Sequence, residues 1–273
     1  MLCGRRTEGM NGMLLAIDIG NTHIVTGCID GEKTLFVERL STEHTRTELE
    51  YAMGFGTVLE LHGISAVNID GAIVSSVVPP LTNIIACAVE KIIGQRPMIV
   101  GPGVKTGLNI LMDNPKAVGA DLVVASVAGI AEYGAPLIII DMGTAATIAV
   151  IDRDKNYIGG IIAPGVEASL ASLVTRTAQL PNISLEVPAS VIGKNTVDSM
   201  KSGIVLGCAS MIDGMLDRME DELGYPAAVV ATGGMAGTVI PSCRRRIIID
   251  DELLLKGLNI IYGKNRGKSH KNA

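Results

Sequence analysis

The sequence has no tryptophan and only two phenylalanines among its 273 residues, and aromatic side chains make up 3% of it. Single-stranded nucleic acid is held by stacking bases on aromatic faces, so a chain this poor in rings does not offer such a platform. A basic stripe is missing too. The formal net charge is −5, whereas a phosphate backbone has to be neutralised by clustered lysine and arginine. No nucleic-acid partner is expected. Long hydrophobic runs are also lacking. Apolar residues reach 48% and mean hydropathy is +0.39, yet no run approaches the roughly 20 apolar residues of a membrane span. The segment before Asp141 comes nearest, and Glu132 and Tyr133 interrupt it. No membrane partner is expected, and the apolar surplus belongs to strands and helices buried on both faces. The five cysteines (Cys3, Cys28, Cys87, Cys208, Cys243) form no CxxC pair and show no metal-ligand spacing. They read as small buried hydrophobes in a reducing cytoplasm.

What the chain does have is a repeat. An apolar run over residues 13–17 ends in Asp18-Ile19-Gly20-Asn21-Thr22. A second over residues 136–140 ends in Asp141-Met142-Gly143-Thr144-Ala145, close to half a chain length later. Each bend leads into another β-rich run, His23 to Ile29 and Ala146 to Ile151. Each of those closes in a charged turn, Asp30-Gly31-Glu32-Lys33 and Asp152-Arg153-Asp154-Lys155. A duplicated strand, bend and strand predicts two similar domains facing each other across a cleft, with both bends on the phosphates and metal of one nucleotide.

Local patterns fill in the rest. Strands are predicted at 14–17, 23–29 and 34–40, with a hairpin turn at Asp30-Gly31. A helix is predicted over 45–62 and a strand over 72–78. Pro79-Pro80 opens a second helix, and a short strand follows at 98–100. Residues 101–121 read as one long loop, rich in glycine and proline. A helix over 121–133 follows, then strands at 137–140, 146–151 and 157–162, a helix over 167–176 and a loop over 181–188. Next come a long helix over 196–223, a strand at 228–231 and a closing helix over 253–262. The stripe of Met200, Ile204, Cys208, Met211, Met215 and Met219 on the long helix is expected to pack against the core or a partner subunit. The expected fold is α/β, with mixed sheets flanked by helices. Residues 1–12 are set apart as a disordered extension, with Met13 the structural beginning. Domains span 13–126 and 127–262, and residues 263–273 form a basic, frayed tail.

Gly20 lets backbone amides approach a phosphate with no Cβ in the way, and such amides form an anion-binding nest. Asp18 suits a hydrated Mg²⁺, and Asn21 and Thr22 add donors. A plain strand-end turn would use the same residues, but a second such bend at Asp141 weighs against that. Thr232-Gly233-Gly234 offers close backbone approach to a nucleoside, or an ordinary strand-to-helix turn. Asp121 is either an N-terminal helix cap or the base that phosphoryl transfer to a hydroxyl requires. His23 reads as a strand residue, His44 and His62 lack metal spacing, and Arg244-Arg245-Arg246 reads as a solvated turn.

The Asp-x-Gly-Asn-Thr bend, GPGVKTGLNI with Asp-Asn-Pro and Val-Gly-Ala-Asp, Asp-x-Gly-Thr-Ala, GGIIAPG, TAQLP, IGKNT and ATGG stand here in the order seen in type III pantothenate kinases. The chain resembles that family over about residues 13–262. Asp-x-Gly and Thr-Gly-Gly alone are common to the wider superfamily of acetate and sugar kinases, Hsc70 and actin. The resemblance implies two RNase H-like (actin-like ATPase) domains and the transfer of the ATP γ-phosphate to pantothenate, the first step toward coenzyme A. It implies ATP and Mg²⁺ at Asp18, Ile19, Gly20, Asn21, Thr22, His23, Ile24 and Val25, with Mg²⁺ reached by Asp18 through water. Thr144 would contact ATP, and Asp141 would hold a monovalent cation, K⁺ or NH₄⁺. Asp121 would be the general base, with Gly119 and Ala120 lining the pantothenate site. Thr196 would reach the pantothenate of a neighbouring subunit, which makes the protein a homodimer with a shared active site.

Two positions depart from the family pattern. Leu122 stands where the family usually has arginine, and Met112 stands where it usually has tyrosine; both usual residues touch pantothenate. Loss of a desolvated guanidinium pair costs roughly 2–5 kcal/mol. The ATP side matches and the acceptor side is altered. Two alternatives therefore stay open: a kinase of the same superfamily for another small hydroxyl acceptor, and a noncatalytic nucleotide-binding accessory or regulatory protein.

Overall fold

The computed structural model describes residues 12–266. Residues 1–11 of the expected 1–12 extension and the end of the basic tail, residues 267–273, lie outside the described residues. In chain order the main elements are β1 (Met13–Ile19), β2 (His23–Asp30), β3 (Lys33–Ser41), α1 (Glu48–Leu61), β4 (Ile69–Ser76), α2 (Pro79–Ile93), β5 (Met98–Ile99), β6 (Asn109–Ile110), α3 (Ala120–Tyr133), β7 (Leu137–Met142), β8 (Ala145–Ile151), β9 (Asn156–Pro164), α4 (Val166–Arg176), α5 (Thr196–Lys201), α6 (Gly207–Leu223), β10 (Ala228–Thr232), α7 (Ala236–Val239), β11 (Ile248–Ile249) and α8 (Leu253–Asn265).

Backbone contacts divide the chain into two units. The first runs to Gly107, returns for Val118–Val127 and takes the chain again from Leu254. The second holds Leu108–Ala117 and Ala128–Leu253. The first unit contains a five-stranded sheet in the order β3-β2-β1-β4-β5. β1 is central, antiparallel to β2 and parallel to β4. Successive side chains of a strand point to opposite faces. Leu15, Ile17 and Ile19 therefore face one way and pack with Tyr51 and Phe55 of α1 and Leu81 and Ile85 of α2. The N-terminus of α1 is set by a capping box, Thr47 with Glu50, which starts the helix later than residue 45. On the opposite face, Leu255 of α8 lies against Gly27, and Tyr262 fills the space a side chain on Gly71 would need. α8 also approaches α3 closely, since a Cβ on Gly257 would collide with the Val124 carbonyl.

The second unit repeats the plan. Its sheet order is β11-β10-β7-β8-β9-β6. β7 takes the place of β1, antiparallel to β8 and parallel to β10. Ile138, Ile140 and Met142 join a core with Val166 and Leu170 of α4 and Ile212 and Leu216 of α6. Gly129 of α3 sits against Leu137 and Ile139 on the other face. Both units have the RNase H-like arrangement. The methionine stripe packs on this core, with Met200 and Ile204 inside it and Met211, Met215 and Met219 against it. A π-helical stretch over Ser202–Leu206 joins α5 to α6.

Three expectations change. The loop over 101–121 contains a strand: β6 pairs in parallel with β9 and lengthens the second sheet by one. The strand β11, also two residues long, pairs with β10. The chain past Gly263 is not frayed at its start, because α8 runs to Asn265 and that side chain is only 9% exposed. Asn265 Nδ2 donates to the carbonyls of Lys105 (2.9 Å) and Ile261 (2.8 Å), and Oδ1 accepts from the Lys105 amide (3.0 Å). Lys264 Nζ donates to the Thr106 carbonyl at 2.6 Å. The end of α8 thus fixes the backbone of the glycine-rich loop by both its N–H and its C=O. Truncation of Asn265 to alanine orphans those groups and is expected to cost about 1–3 kcal/mol. Hydrogen exchange should accelerate at the Lys105 amide, while the β1 amides change only with the global stability.

Candidate active site

The first bend leaves the sheet at the C-terminal end of β1. Asp18 is 6% exposed. The Gly20 amide donates to the His23 carbonyl at 3.0 Å and Thr42 Oγ1 donates to the Gly20 carbonyl at 2.8 Å, so the turn is tight and held from β3's side. A Cβ on Gly20 would lie 3.0 Å from the His23 carbonyl, which would have to yield by a few tenths of an ångström. Asn21, Thr22 and His23 are exposed and open to a ligand. The side chains of Ile19 and Ile24 are fully buried in the core, so these two residues offer a ligand only their backbone. Val25 pairs with Asp18 in the β1–β2 register and shares its face.

Asp121 is the second residue of α3. Its Oδ1 accepts from the Leu122 amide at 2.8 Å. A capping aspartate precedes the helix and accepts from an amide two or three residues on, so Asp121 is not a cap. A Cβ on Gly119 would strike the Asp121 carboxylate and stand 3.7 Å from Val77 Cγ1. Val77 continues the β1–β4 ladder, its amide donating to the Ile19 carbonyl at 3.0 Å. Asp121 and the first bend therefore occupy the same edge of one sheet, at the C-terminal ends of β1 and β4. Burial raises the pKa of Asp121 above the ordinary aspartate value, against the lowering effect of the Leu122 and Asp121 amides. A desolvated carboxylate of raised basicity suits proton abstraction.

In the second unit Asp141 stands at the end of β7 with Thr147 and Thr232 as its register neighbours on β8 and β10. All three oxygen-bearing side chains share a face, and Thr147 Oγ1 is buried with no hydrogen-bond partner among the described residues. Gly143 and Thr144 form the bend, and Thr144 is exposed. Two glycines support it. A Cβ on Gly165 would strike the carbonyls of Gly143 and Thr144, and the Gly165 amide donates to Thr144 at 3.1 Å. Gly233, at φ +95°, lies with its missing Cβ 2.5 Å from Asp141 Oδ1 and 2.7 Å from the Met142 backbone. The Thr-Gly-Gly turn thus packs against the carboxylate bend, a contact that local sequence does not announce.

Hydroxyl and carboxylate oxygens around Asp141 fit a monovalent cation. The first bend fits a divalent one: Asp18 supplies a hard oxygen. Among the described residues no cluster of three or more His, Cys, Asp or Glu side chains could cage a metal.

The acceptor-side residues are distributed. Gly119, Ala120, Asp121 and Leu122 belong to the first unit, and Met112 to the second. The Met112 sulfur lies 3.7 Å from where a Cβ on Gly159 would be, packed over β9. Thr196 opens α5 behind its cap Asn195 and is exposed. It borders an open groove of about 1000 Å³ that includes Lys194, Leu173, Met200 and Met211. The remaining charged candidates are structural. His62 pairs with Glu38 at 3.0 Å and stacks on Phe36. Arg245 bridges Asp217 and Glu220, each at 2.6 Å, and Asp213 accepts from the amides of Arg244 and Arg245. The arginine run is thus a bend with Arg244 and Arg246 exposed, as a solvated turn requires, and only Arg245 ties it to α6 through its side chain.

A family model described as type III pantothenate kinase matches residues 14–218. A type III pantothenate kinase of Exiguobacterium sp. is 44% identical over 93% of this chain and 100% of its own length. One of Bacillus cytotoxicus is 42% identical over 95% and 99%. Among solved structures, component A of the (R)-2-hydroxyglutaryl-CoA dehydratase of Acidaminococcus fermentans superposes with a TM-score of 0.54 at 14% identity, covering 94% of this chain and 99% of that one. The ethanolamine utilization protein EutJ of Carboxydothermus hydrogenoformans does so at 0.53 and 14%, over 91% and 88%. Both likenesses concern the fold.

The raised pKa of Asp121 carries a stability consequence. A carboxylate more easily protonated in the folded state than in the unfolded chain stabilises the fold at acid pH and loses that contribution as pH rises through its folded pKa. Asp121→Asn should therefore raise the melting temperature at pH 7, and the gain should vanish as pH falls below the ordinary aspartate pKa. Thermal unfolding of both proteins across that range checks it.

Proposed function

The chain belongs to the type III pantothenate kinase family, and from that membership we infer that it moves the γ-phosphate of ATP to the primary hydroxyl of pantothenate, yielding 4′-phosphopantothenate on the route to coenzyme A. In this reading the first bend, from Asp18 to Val25, holds the ATP phosphates through the backbone amides around Gly20 and the side chains of Asn21 and Thr22. Asp18 binds Mg²⁺ through water, and Mg²⁺ when bound neutralises charge on the transferring group. Thr144 contacts ATP, and Asp141 holds K⁺ or NH₄⁺, with Thr147 and Thr232 supplying nearby hydroxyl oxygens. Gly119 and Ala120 line the acceptor pocket.

The transfer is direct. The pantothenate hydroxyl gives its proton to Asp121 while its oxygen bonds to the γ-phosphorus. The bond from that phosphorus to the β–γ bridging oxygen breaks, and ADP leaves. Phosphoryl transfer needs positioning and charge neutralisation more than covalent help. The observation that carries these roles is the shared edge of β1 and β4: the phosphate bend and a partly buried carboxylate of raised pKa stand at the C-terminal end of the same strand pair. Thr196 reaches the acceptor bound to a second copy, so the working form is a homodimer, and we assign it to the cytoplasm. No described helix is long and apolar enough to cross a membrane.

Met112 and Leu122 bear on acceptor affinity. Neither side chain can pair with the pantothenate carboxylate, and Met112 offers a soft apolar surface where tyrosine would donate a hydrogen bond. This favours the second reading, a different small hydroxy acid or sugar as the better acceptor, to the extent that pantothenate turnover saturates poorly. Replacing Asp121 with asparagine should lower kcat roughly 10²–10⁴-fold and leave ADP affinity unchanged, as read by a coupled ADP-release assay and calorimetry. Unchanged turnover would instead fit a noncatalytic base position. Leu122→Arg should lower the KM for pantothenate by about tenfold, equivalent to ~1.4 kcal/mol, with kcat little changed. If another acceptor is the natural one, the same variant should improve pantothenate alone.

A further inference from the structure

Ser75 is a fully buried hydroxyl that the preceding assignments leave without a task; of the other buried hydroxyls without a partner among the described residues, Thr26 lies mid-strand beside Ile17 and Thr147 beside Asp141. The relative exposure of Ser75 is 0%, and its Oγ has no hydrogen-bond partner among the described residues. Its chain neighbour Ser76, on the opposite face of β4, accepts from the Val78 amide at 3.1 Å and from Thr82 Oγ1 at 2.8 Å. Ser126 of α3, equally buried, donates to the Leu122 carbonyl at 2.6 Å. A hydroxyl shut away from water and left unmade is costly, so one retained at a strand end points to a ligand there.

Its register says which. Ser75 is the Cα partner of Asp18 in the parallel β1–β4 pairing, so the two side chains share a face. Two residues on, Val77 lies toward Gly119 and the Asp121 carboxylate. The second unit has the same arrangement, with Thr232 as the partner of Asp141 in the parallel β7–β10 pairing. In both units a hydroxyl residue stands beside the bend carboxylate on its parallel neighbour. We propose that Ser75 is a positioning residue for the divalent cation at Asp18: its Oγ accepts a hydrogen bond from a water of that ion's shell and so fixes the ion against the carboxylate.

The inference rests on the reading of Asp18 as the divalent-cation residue, and the test separates the two. Mn²⁺ serves as the probe, and its binding to the full chain with ADP is followed by electron paramagnetic resonance. Ser75→Ala should weaken Mn²⁺ binding about tenfold, within the usual effect of groups that support a metal's direct ligands. ADP affinity in EDTA should stay unchanged, and melting temperature should be equal or higher, since an unmade buried hydroxyl has been removed. Ser75→Thr keeps the hydroxyl and should retain Mn²⁺ affinity even where its extra methyl lowers stability. Unchanged Mn²⁺ affinity in Ser75→Ala, alongside weakened binding in Asp18→Asn, overturns the inference and spares the reading beneath it. Unchanged affinity in Asp18→Asn overturns both.

Discussion

The parallel pairing of β1 with β4 is the constraint on which the proposed chemistry depends. Its register puts Ile17 and Ile19 into the apolar core and Asp18 on the opposite face, with Ser75 beside it. A slip of one residue would exchange those faces. Asp18 would then enter a layer made of Tyr51, Phe55, Leu81 and Ile85, where an unpaired carboxylate costs several kcal/mol or gives up its charge. The hydrophobic pattern that stabilises the sheet is thus the same feature that aims the carboxylate.

The second unit has the same device with different flanking residues. β7 carries Asp141 as β1 carries Asp18, but both register neighbours of Asp141 are threonines, whereas Asp18 has Val25 on one side and Ser75 on the other. A site ringed by neutral hydroxyls suits a weakly charged ion that sheds its water. One with a single hydroxyl and an exposed bend suits a strongly hydrated ion that travels with phosphate. The repeat supplies two carboxylate bends, and the flanking residues distinguish what each can hold. Asp121 comes from a separate device, a helix that begins beside the end of β4. There Gly119 makes room for the carboxylate, and burial raises its basicity.

Much of this was legible in the sequence because the relevant signals are local and repeated. Apolar runs ending in Asp-x-Gly announced β1 and β7, Pro79-Pro80 announced α2, and the order of short motifs announced the family and with it the fold. What was not legible depends on contacts between distant segments. β6 and β11 are two residues long and have no periodicity to detect; each exists because an edge of the second sheet is available to it. Asn265 reads as part of a polar tail until its side chain is seen on the backbone of Lys105. Gly165 reads as a loop glycine, and Gly233 as part of a turn for a nucleoside or a plain strand-to-helix turn, until the second bend is seen pressed against both. Ser75 is one small residue in an apolar strand, and only its register with Asp18 gives it meaning. The ties of Arg245 were hidden for the same reason, since Asp217 and Glu220 lie on α6.

The most direct measurement is a crystal structure of the protein with a non-hydrolysable ATP analogue, Mg²⁺ and pantothenate. The terminal phosphates should lie on the amides around Gly20, with Mg²⁺ reaching Asp18 through water. The primary hydroxyl of pantothenate should lie within about 3 Å of the Asp121 carboxylate. Density that put that hydroxyl beside any other base, or the phosphates away from the first bend, would contradict these roles.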